Sequence, residues 1–236
     1  MEVITEINGV IFNYLQLKLM ELGLDSDRRS FKEIRNILNT KPILTPEEFA
    51  YECFYVICVA GFKQDYAKKM CNKVIDFIKN NNFNFTEDAL AQVYGNKMKI
   101  KAIKQIWDNR ISYQEKFYSL KTTEEKVGFL GSLPHVGNIT KYHLARNLGL
   151  NFVKYDIWIQ RLGVALYGND DLVSKVNNSE LLPEIKYCCD LMFNKLNKET
   201  SEKVGYIDVV LWRSCQKGLL KINGRKVFLD KEFKIY

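Results

Sequence analysis

The chain has 236 residues, and 35 Lys and Arg residues against 28 Asp and Glu residues give it a formal net charge of +7. This length suits one large domain or two small lobes, and a content of 47% hydrophobic residues with four prolines excludes a disordered or fibrous chain. No uncharged run reaches the roughly 18 residues that cross a bilayer, and the amino terminus lacks a signal-peptide pattern. We therefore expect an intracellular protein without a membrane partner, either cytoplasmic and nucleoid-associated or nuclear.

Cysteine and histidine spacing gives no sign of a metal site. The six cysteines include no C-x-x-C pair, and both histidines, His135 and His143, lie far from every cysteine in the sequence. Zinc and iron–sulfur sites need closely spaced ligands, so we expect buried, reduced thiols and no metal or redox cofactor. The basic excess suits a polyanionic partner without identifying one.

Helical periodicity dominates the chain. The spacing of apolar residues predicts helices, in chain order, at about residues 4–22, 31–39, 45–59, 64–79, 86–94, 97–108, 122–131, 139–148, 156–167, 183–196 and 203–217. Two of them open with capping boxes, Thr45–Glu48 and Thr122–Glu125. The convincing strand signal comes last, where residues 219–222 and 226–229 flank the turn pair Asn223-Gly224. We therefore predict an all-α fold with a small C-terminal β-hairpin.

The stretch between Gly131 and Gly163 is the most informative part of the sequence. A helix is predicted to end near Gly131, a tight hairpin follows over Leu133–Gly137, and a second helix begins at about Asn138. The unpaired N–H groups at that second start and the positive end of the helix dipole form an anion site, to which Lys141 adds charge. A plain corner between two core helices is the commoner interpretation of such a pattern, and a phosphate clamp is the alternative.

Three features of this region together resemble the helix–hairpin–helix DNA glycosylase superfamily, which includes endonuclease III, MutY and the 8-oxoguanine glycosylases. They are the Leu-Pro-x-Val-Gly hairpin, the polar helix after it, and Asp156 before an amphipathic helix that contains an Arg. Residues 96–103 are similar to that family's N-x-K-A-x-x-I helix. The resemblance covers roughly residues 45–165 and is most specific over residues 130–162.

This resemblance implies a two-lobed helical fold and a DNA-binding hairpin. A central lobe of about residues 60–150 carries the hairpin, and about residues 1–59 and 151–236 form the second lobe. In the family, the hairpin amides bind the phosphate next to the damaged nucleotide, often with a Na⁺ or K⁺ ion on the hairpin carbonyls. Here the amides would be those of residues 135–139, and the expected DNA-contacting residues are His135, Val136, Gly137, Ile139, Thr140 and Lys141.

Asp156 matches the Asp that stands at the mouth of the family's base pocket. A carboxylate there stabilises the positive charge that builds on the deoxyribose, and it orients or deprotonates the attacking water. The alternative interpretation is an N-cap for the following helix, and both can hold because a capping Asp is held rigidly. A second acid, Asp208, is expected to be exposed near a helix start.

Two positions depart from the family's pattern. Bifunctional members carry a nucleophilic Lys just after the last hairpin glycine, and Ile139 occupies that place here. We therefore predict a monofunctional enzyme, with Lys141 as the possible nucleophile of an alternative glycosylase/lyase. His135 stands where the family usually has Gly, and it would carry strain if that position requires a positive φ.

Two further groups are candidate contacts to the flipped nucleotide. Phe62, Lys63 and Gln64 match a loop that fills the gap left by the flipped base in relatives, and a helix connection with a buried Phe is the alternative. Tyr155 and Trp158 flank the candidate catalytic Asp and could line the base pocket, although core packing is the commoner role of such aromatic residues.

The sequence thus predicts a DNA glycosylase that flips a damaged or modified base out of duplex DNA and hydrolyses its N-glycosidic bond, leaving an abasic site. Its expected partner is double-stranded DNA containing such a base, and a monomer is expected. A non-catalytic helix–hairpin–helix DNA-binding protein is the alternative from another functional class. The identity of the base, and the choice between repair and defence against foreign modified DNA, stay open at this point.

Overall fold

The computed structural model describes residues 1–26, 28–62, 64–82, 84–177 and 180–234, and for Gln64 and Asp65 it describes the backbone. Contacts divide the chain into two compact units. We call Lys41–Leu148 the central unit, and we call Met1–Thr40 together with Gly149–Tyr236 the terminal unit.

The described residues form thirteen helices and three short strands. In chain order they are β1 (Glu2–Ile4), α1 (Gly9–Glu21), α2 (Phe31–Thr40), α3 (Pro46–Val59), α4 (Gln64–Asn80), α5 (Glu87–Ala91), α6 (Lys97–Asp108), α7 (Arg110–Ser119), α8 (Thr123–Ser132), α9 (Thr140–Asn147), α10 (Ile157–Tyr167), α11 (Asp170–Lys175), α12 (Pro183–Thr200), α13 (Val204–Lys217), β2 (Leu220–Asn223) and β3 (Lys226–Leu229).

These elements confirm the predicted helical fold class with its C-terminal β-hairpin. The first helix begins later than predicted because Asn8 caps it, with Oδ1 accepting from the N–H of Ile11 at 3.0 Å, and residues 2–4 form a strand instead. Helices α7 and α11 have no predicted counterpart. Phe117 is the buried residue of α7 and α11 has none, so neither shows the apolar periodicity that sequence analysis detects.

Helix α3 is the core of the central unit. It opens with the predicted capping box, in which Thr45 Oγ1 accepts from the N–H of Glu48 at 3.2 Å and the N–H of Thr45 donates to Glu48 Oε2 at 2.8 Å. Most of its remaining residues are buried, and it packs against α4, α6, α7 and α9. These contacts place α3 in the central unit, whereas the sequence analysis assigned it to the lobe of the chain ends.

Helix α13 is the core of the terminal unit and packs against α1, α2, α10 and α12. Helices α10 and α12 approach closely at Gly163, where an added Cβ would lie 2.6 Å from Cys189 Sγ and 2.9 Å from Cys189 Cα. The predicted hairpin, β2 and β3, gains a third strand because β1 pairs antiparallel with β3, with Glu2 opposite Leu229. The sheet order β1-β3-β2 therefore joins the two ends of the chain.

The cysteines follow the sequence prediction, since all six are buried free thiols. Within the described parts of the chain, no three His, Cys, Asp or Glu side chains form a group that could hold a metal ion. None of the helices in those parts is both long enough and apolar enough to cross a membrane.

Candidate active site

The connection between α8 and α9 is a tight turn followed by a helix start. The N–H of Val136 donates to the carbonyl of Leu133 at 3.1 Å, which closes a four-residue turn. Pro134 occupies its second position, and His135 has a φ of +60° at its third position. Proline before a left-handed residue is typical of a type II turn, whose third position favours Gly or Asn. The position of His135 therefore does require a positive φ, and His135 carries the expected strain there, at a cost of roughly 1–2 kcal/mol.

The start of α9 presents open backbone donors. The N–H of Gly137 is occupied, because it donates to Thr140 Oγ1 at 2.9 Å, and the carbonyl of Gly137 accepts from the N–H of Lys141 at 3.0 Å. Among the described residues we find no acceptor for the N–H groups of Asn138, Ile139 and Thr140. The amides of Val136 and Gly137 are used inside the hairpin, so of the open donors Asn138 and Ile139 lie within the predicted range and Thr140 lies one residue beyond it.

Lys141 packs along the preceding helix. Its side chain crosses Gly131 of α8 so closely that a Cβ on that glycine would lie 3.1 Å from Lys141 Cδ. Its Nζ is 5.3 Å from the centroid of the Tyr142 ring. This packing supports the interpretation of Lys141 as a cation beside the hairpin.

Two aromatic rings are exposed where the loop after α3 meets the start of α4, one from the loop and one from the first turn of α4. Phe62 is 43% exposed and Tyr66 is 51% exposed, and their ring centroids are 5.4 Å apart. The interpretation of Phe62 as the buried residue of a plain connection is therefore wrong. Lys63 and the side chain of Gln64 lie outside the described residues, so their predicted roles stay predictions.

Asp156, in the terminal unit, caps α10 and keeps one carboxylate oxygen out of the cap. Its Oδ1 accepts from the N–H groups of Trp158 at 3.1 Å and Ile159 at 3.3 Å. Its Oδ2 lies 3.6 Å from Lys154 Nζ, and the residue is 8% exposed. The predicted capping role is confirmed, and Oδ2 is paired with Lys154 outside the cap.

Two side chains, one from the next helical turn and one distant in sequence, hold the segment that leads to Asp156. The N–H of Lys154 donates to Asp208 Oδ2 at 3.2 Å, and Gln160 Nε2 donates to the carbonyl of Tyr155 at 2.9 Å. Asp208 is 1% exposed and Gln160 is fully buried, so the expectation of an exposed Asp208 is wrong. Neither of these contacts was predicted from the sequence. For Gln160 the available signal was a polar residue on an apolar helix face, since Ile157 and Val164 lie three residues before it and four after it.

The two aromatic residues beside Asp156 differ in exposure. Tyr155 is 5% exposed, and its hydroxyl donates to Asp190 Oδ1 at 2.6 Å, so it packs in the interior of the terminal unit. Trp158 is half-buried, with Arg161 Cζ 5.8 Å from its ring centroid. Of the two, Trp158 is the better candidate for contact with a base.

Two titratable groups near these sites have shifted pKa values. Burial lowers the pKa of His135, and the ammonium of Lys99 lowers it further because both groups would be cationic. Burial raises the pKa of the Cys215 thiol, and the negative charge of Asp156 adds to that shift. Cys215 is therefore a neutral, inert neighbour of the carboxylate.

Sequence comparisons give no relative. No protein-family model matches the chain, and no curated protein matches it in sequence.

Solved structures match the fold over most of the chain. The crystal structure of the 8-oxoguanine DNA glycosylase of Methanocaldococcus jannaschii has a TM-score of 0.64 and 13% identity, covering 90% of this chain and 95% of that one. The 8-oxoguanine glycosylase/lyase of the same organism, in complex with a 15mer DNA containing 8-oxoguanine, has a TM-score of 0.61 and 16% identity, covering 88% and 100%. At such low identity the likeness establishes the fold. The fold implied by the helix–hairpin–helix resemblance is therefore confirmed, and this chain folds like these 8-oxoguanine DNA glycosylases.

Proposed function

We propose that the protein is a DNA glycosylase that hydrolyses the N-glycosidic bond of a damaged or modified base, with Asp156 as the catalytic carboxylate. The environment of Asp156 carries this proposal. The carboxylate is nearly buried, two N–H groups of α10 fix one oxygen, and Lys154 lies beside the other. A negative charge fixed in advance is what a transition state with developing positive charge requires.

The proposed reaction places the Asp156 carboxylate next to the sugar. As the bond between C1′ and the base nitrogen breaks, the bonding electrons leave with the base and positive charge spreads over C1′ and the ring oxygen. Oδ2 stabilises that charge and accepts a proton from the water whose oxygen forms the new bond to C1′. The departing base takes up a proton from solvent and Asp156 returns its proton to solvent, so the products are a free base and an abasic site. Lys154 fixes the direction of Oδ2.

The hairpin supports DNA binding through backbone N–H groups, whereas the proposed chemistry depends on the charge of a side chain. The open N–H groups of Asn138, Ile139 and Thr140 lie at the positive end of the α9 dipole and suit a phosphate oxygen. Backbone donors bind the phosphate whatever the base sequence, as an enzyme that searches for rare lesions needs. Lys141 and the exposed His135 add side-chain contacts there in this proposal.

Hydrolysis without strand cleavage is the proposed outcome. Ile139 offers no amine after the hairpin glycine, and the stem of Lys141 packs along Gly131. A lyase using Lys141 is the alternative, because an amine that displaces the base would form a Schiff base with C1′. A DNA-binding protein without chemistry is the third candidate.

The two solved structures of similar fold point to the first base to test. Both proteins are described as 8-oxoguanine glycosylases, and one is bound to DNA that contains this base. We therefore propose duplex DNA with a damaged base as the partner and 8-oxoguanine as the first substrate to measure. Alkylated purines, deaminated bases and modified cytosines complete the panel.

The proposed hydrolysis needs no redox or metal cofactor, because one carboxylate and a water molecule suffice. A Na⁺ or K⁺ ion at the hairpin would be held by carbonyls such as that of Leu133, which accepts one hydrogen bond and keeps a second lone pair. Replacing K⁺ by a bulky organic cation at constant ionic strength tests this ion through DNA affinity. We further propose a monomer that is cytoplasmic and nucleoid-associated or nuclear.

The experiment is release of free base from that panel of duplexes, measured by chromatography before and after alkali. We expect one base class to be released, leaving abasic sites that break only after alkali. Strand breaks without alkali, together with a borohydride-trapped adduct, would contradict simple hydrolysis and support the glycosylase/lyase alternative. Tight binding with no release from any duplex would contradict glycosylase activity and favour the DNA-binding protein.

A further inference from the structure

Lys99 is a buried lysine whose ammonium binds backbone carbonyls. It lies in the first turn of α6 and is 3% exposed. Its Nζ donates to the carbonyl of Ala60 at 2.6 Å and to the carbonyl of Cys58 at 3.3 Å. Lysine is rarely buried to this extent, because removing an ammonium from water is costly unless partners replace the water. The position of Lys99 therefore points to a specific task for the charge.

The carbonyls that Lys99 binds lie where α3 ends. The last turn of a helix has carbonyls without N–H partners and carries the negative end of the helix dipole, so a cation is stabilised there. Immediately after this point, Gly61 has a φ of +78° and turns the chain toward Phe62. Lys99 thus fixes the place and direction in which the loop leaves the helix.

The same ammonium also holds the ring of Phe62. Lys99 Nζ lies 4.4 Å from the Phe62 ring centroid, within the range of a cation–π contact. The ring is in contact with that of Tyr66, and both remain about half exposed. We call Phe62 and Tyr66 the aromatic pair. Exposed rings of this kind are suited to stacking on nucleobases.

The influence of Lys99 extends to the DNA-binding hairpin of the same unit. Its charge contributes to the lowered pKa of His135, so the ammonium is close enough to act electrostatically on the turn. One buried cation is therefore linked to the loop after α3, to the aromatic pair and to the hairpin that is proposed to grip phosphate.

We propose that Lys99 is a positioning residue that holds the aromatic pair in the conformation from which it enters the DNA stack when a base is extruded. This inference rests on the proposed DNA glycosylase function. The carbonyl contacts fix the loop, the cation–π contact fixes the Phe62 ring, and Lys99 itself touches neither the base nor the sugar.

The test measures insertion into DNA without any base release. The probe is a duplex with a tetrahydrofuran abasic analogue opposite 2-aminopurine, whose fluorescence reports a ring entering the gap. Lys99→Met keeps the apolar stem and removes the charge and the donors. We expect it to reduce the fluorescence change by about fivefold or more, because the ring loses its cationic partner. Lys99→Arg keeps charge and donors and should retain most of the signal.

A matched control and a double mutant separate positioning from general stability. Lys101→Met changes an exposed lysine of the same helix and should leave the signal unchanged. Phe62→Leu removes the ring and should reduce the signal as Lys99→Met does. Adding Lys99→Met to Phe62→Leu should then have little further effect, since both remove the same interaction.

Three outcomes would overturn the proposal. They are an unchanged signal in Lys99→Met, an equal further loss when Lys99→Met is added to Phe62→Leu, and an unchanged signal in Phe62→Leu. If Lys99→Met does not fold, the other two variants test the proposal. An unchanged signal in Phe62→Leu, or a lost signal in Lys99→Arg, would then overturn it. A Lys99-dependent signal without base release from any duplex would instead contradict the proposed glycosylase activity and leave the positioning role intact.

Discussion

The Asp156 segment and the hairpin are built in opposite ways. The Asp156 segment is buried and is held by side chains from α10 and α13, through Gln160 and Asp208. The hairpin exposes His135 and Gly137 and is held by its own backbone and by Thr140. The difference teaches that holding a buried carboxylate in one place takes side chains from two helices in addition to the backbone cap. A phosphate can be bound by a few local amides.

The largest effect on stability should come from crowding the helix that Asp156 caps. Gly163→Ala puts a Cβ within 3 Å of Cys189 Sγ, Cα and N, so α10 and α12 must separate. We expect a loss of about 1–3 kcal/mol of unfolding free energy, which lowers Tm by about 2–4 °C per kcal/mol. Thermal melting checks this.

A matched glycine on the hairpin side provides the control. Gly128 is exposed in α8, and an added Cβ there meets nothing within 4 Å. Gly128→Ala should therefore stabilise the protein by up to about 1 kcal/mol through helix propensity. Equal destabilisation by both substitutions would contradict the different tolerance of the two regions.

The next effect concerns Asp208, which holds the segment that leads to the proposed catalytic residue, Asp156. Asp208→Ala removes the acceptor of the Lys154 N–H, and the segment before Asp156 loses a fixed point. We expect base release to slow by about tenfold, because small displacements of a reacting group are costly. Single-turnover kinetics with unchanged DNA affinity check this. Asp208→Asn keeps an oxygen acceptor and should recover most of the rate, and failure to recover would show that the charge itself matters.

A smaller effect is expected in the hairpin from Thr140→Val. This change keeps the shape of the side chain and removes the acceptor of the Gly137 N–H, as the loss of a helix cap does. DNA affinity should fall by about fivefold, which corresponds to the roughly 1 kcal/mol of a lost cap. The dependence of affinity on salt should stay the same because no charge is lost. A changed salt slope would contradict this explanation.

The smallest effect is expected from His135→Gly. Glycine relieves the strain of the positive φ, and the greater entropy of the unfolded chain offsets part of that gain. Because the folded state lowers the pKa of His135, protonation disfavours folding, and stability is lost as pH falls below the ordinary value of 6.5. The gain from His135→Gly, up to about 1 kcal/mol, should therefore be larger at acidic pH than at neutral pH. Denaturant melts at both pH values check this, and an equal gain at both would contradict the electrostatic part.

Local sequence signals predicted the elements that depend on neighbours in the chain. The capping boxes at Thr45 and Thr122, the turn at Pro134 and the cap at Asp156 each involve residues within four positions. Such features can be predicted because their hydrogen bonds are nearly independent of the rest of the fold.

Two of the contacts that were missed join residues far apart in the sequence. Lys99 meets Ala60 across 39 positions, and Lys154 meets Asp208 across 54 positions. Their partners are backbone groups, which carry no sequence signature. The sequence indicates the burial of Lys99 only through its place on an apolar helix face, because Lys99 lies four residues before the buried Ile103 on α6.

The most direct test of the account is single-turnover base release by Asp156→Asn, measured on complexes whose DNA binding is determined in the same samples. Asn keeps the size of the side chain and an oxygen for the cap but carries no negative charge. Asp170→Asn, at the exposed start of α11, serves as the matched control. The account predicts full DNA binding and base release reduced by at least about 100-fold in Asp156→Asn alone. Release at the wild-type rate by that variant would contradict the central role of the Asp156 carboxylate.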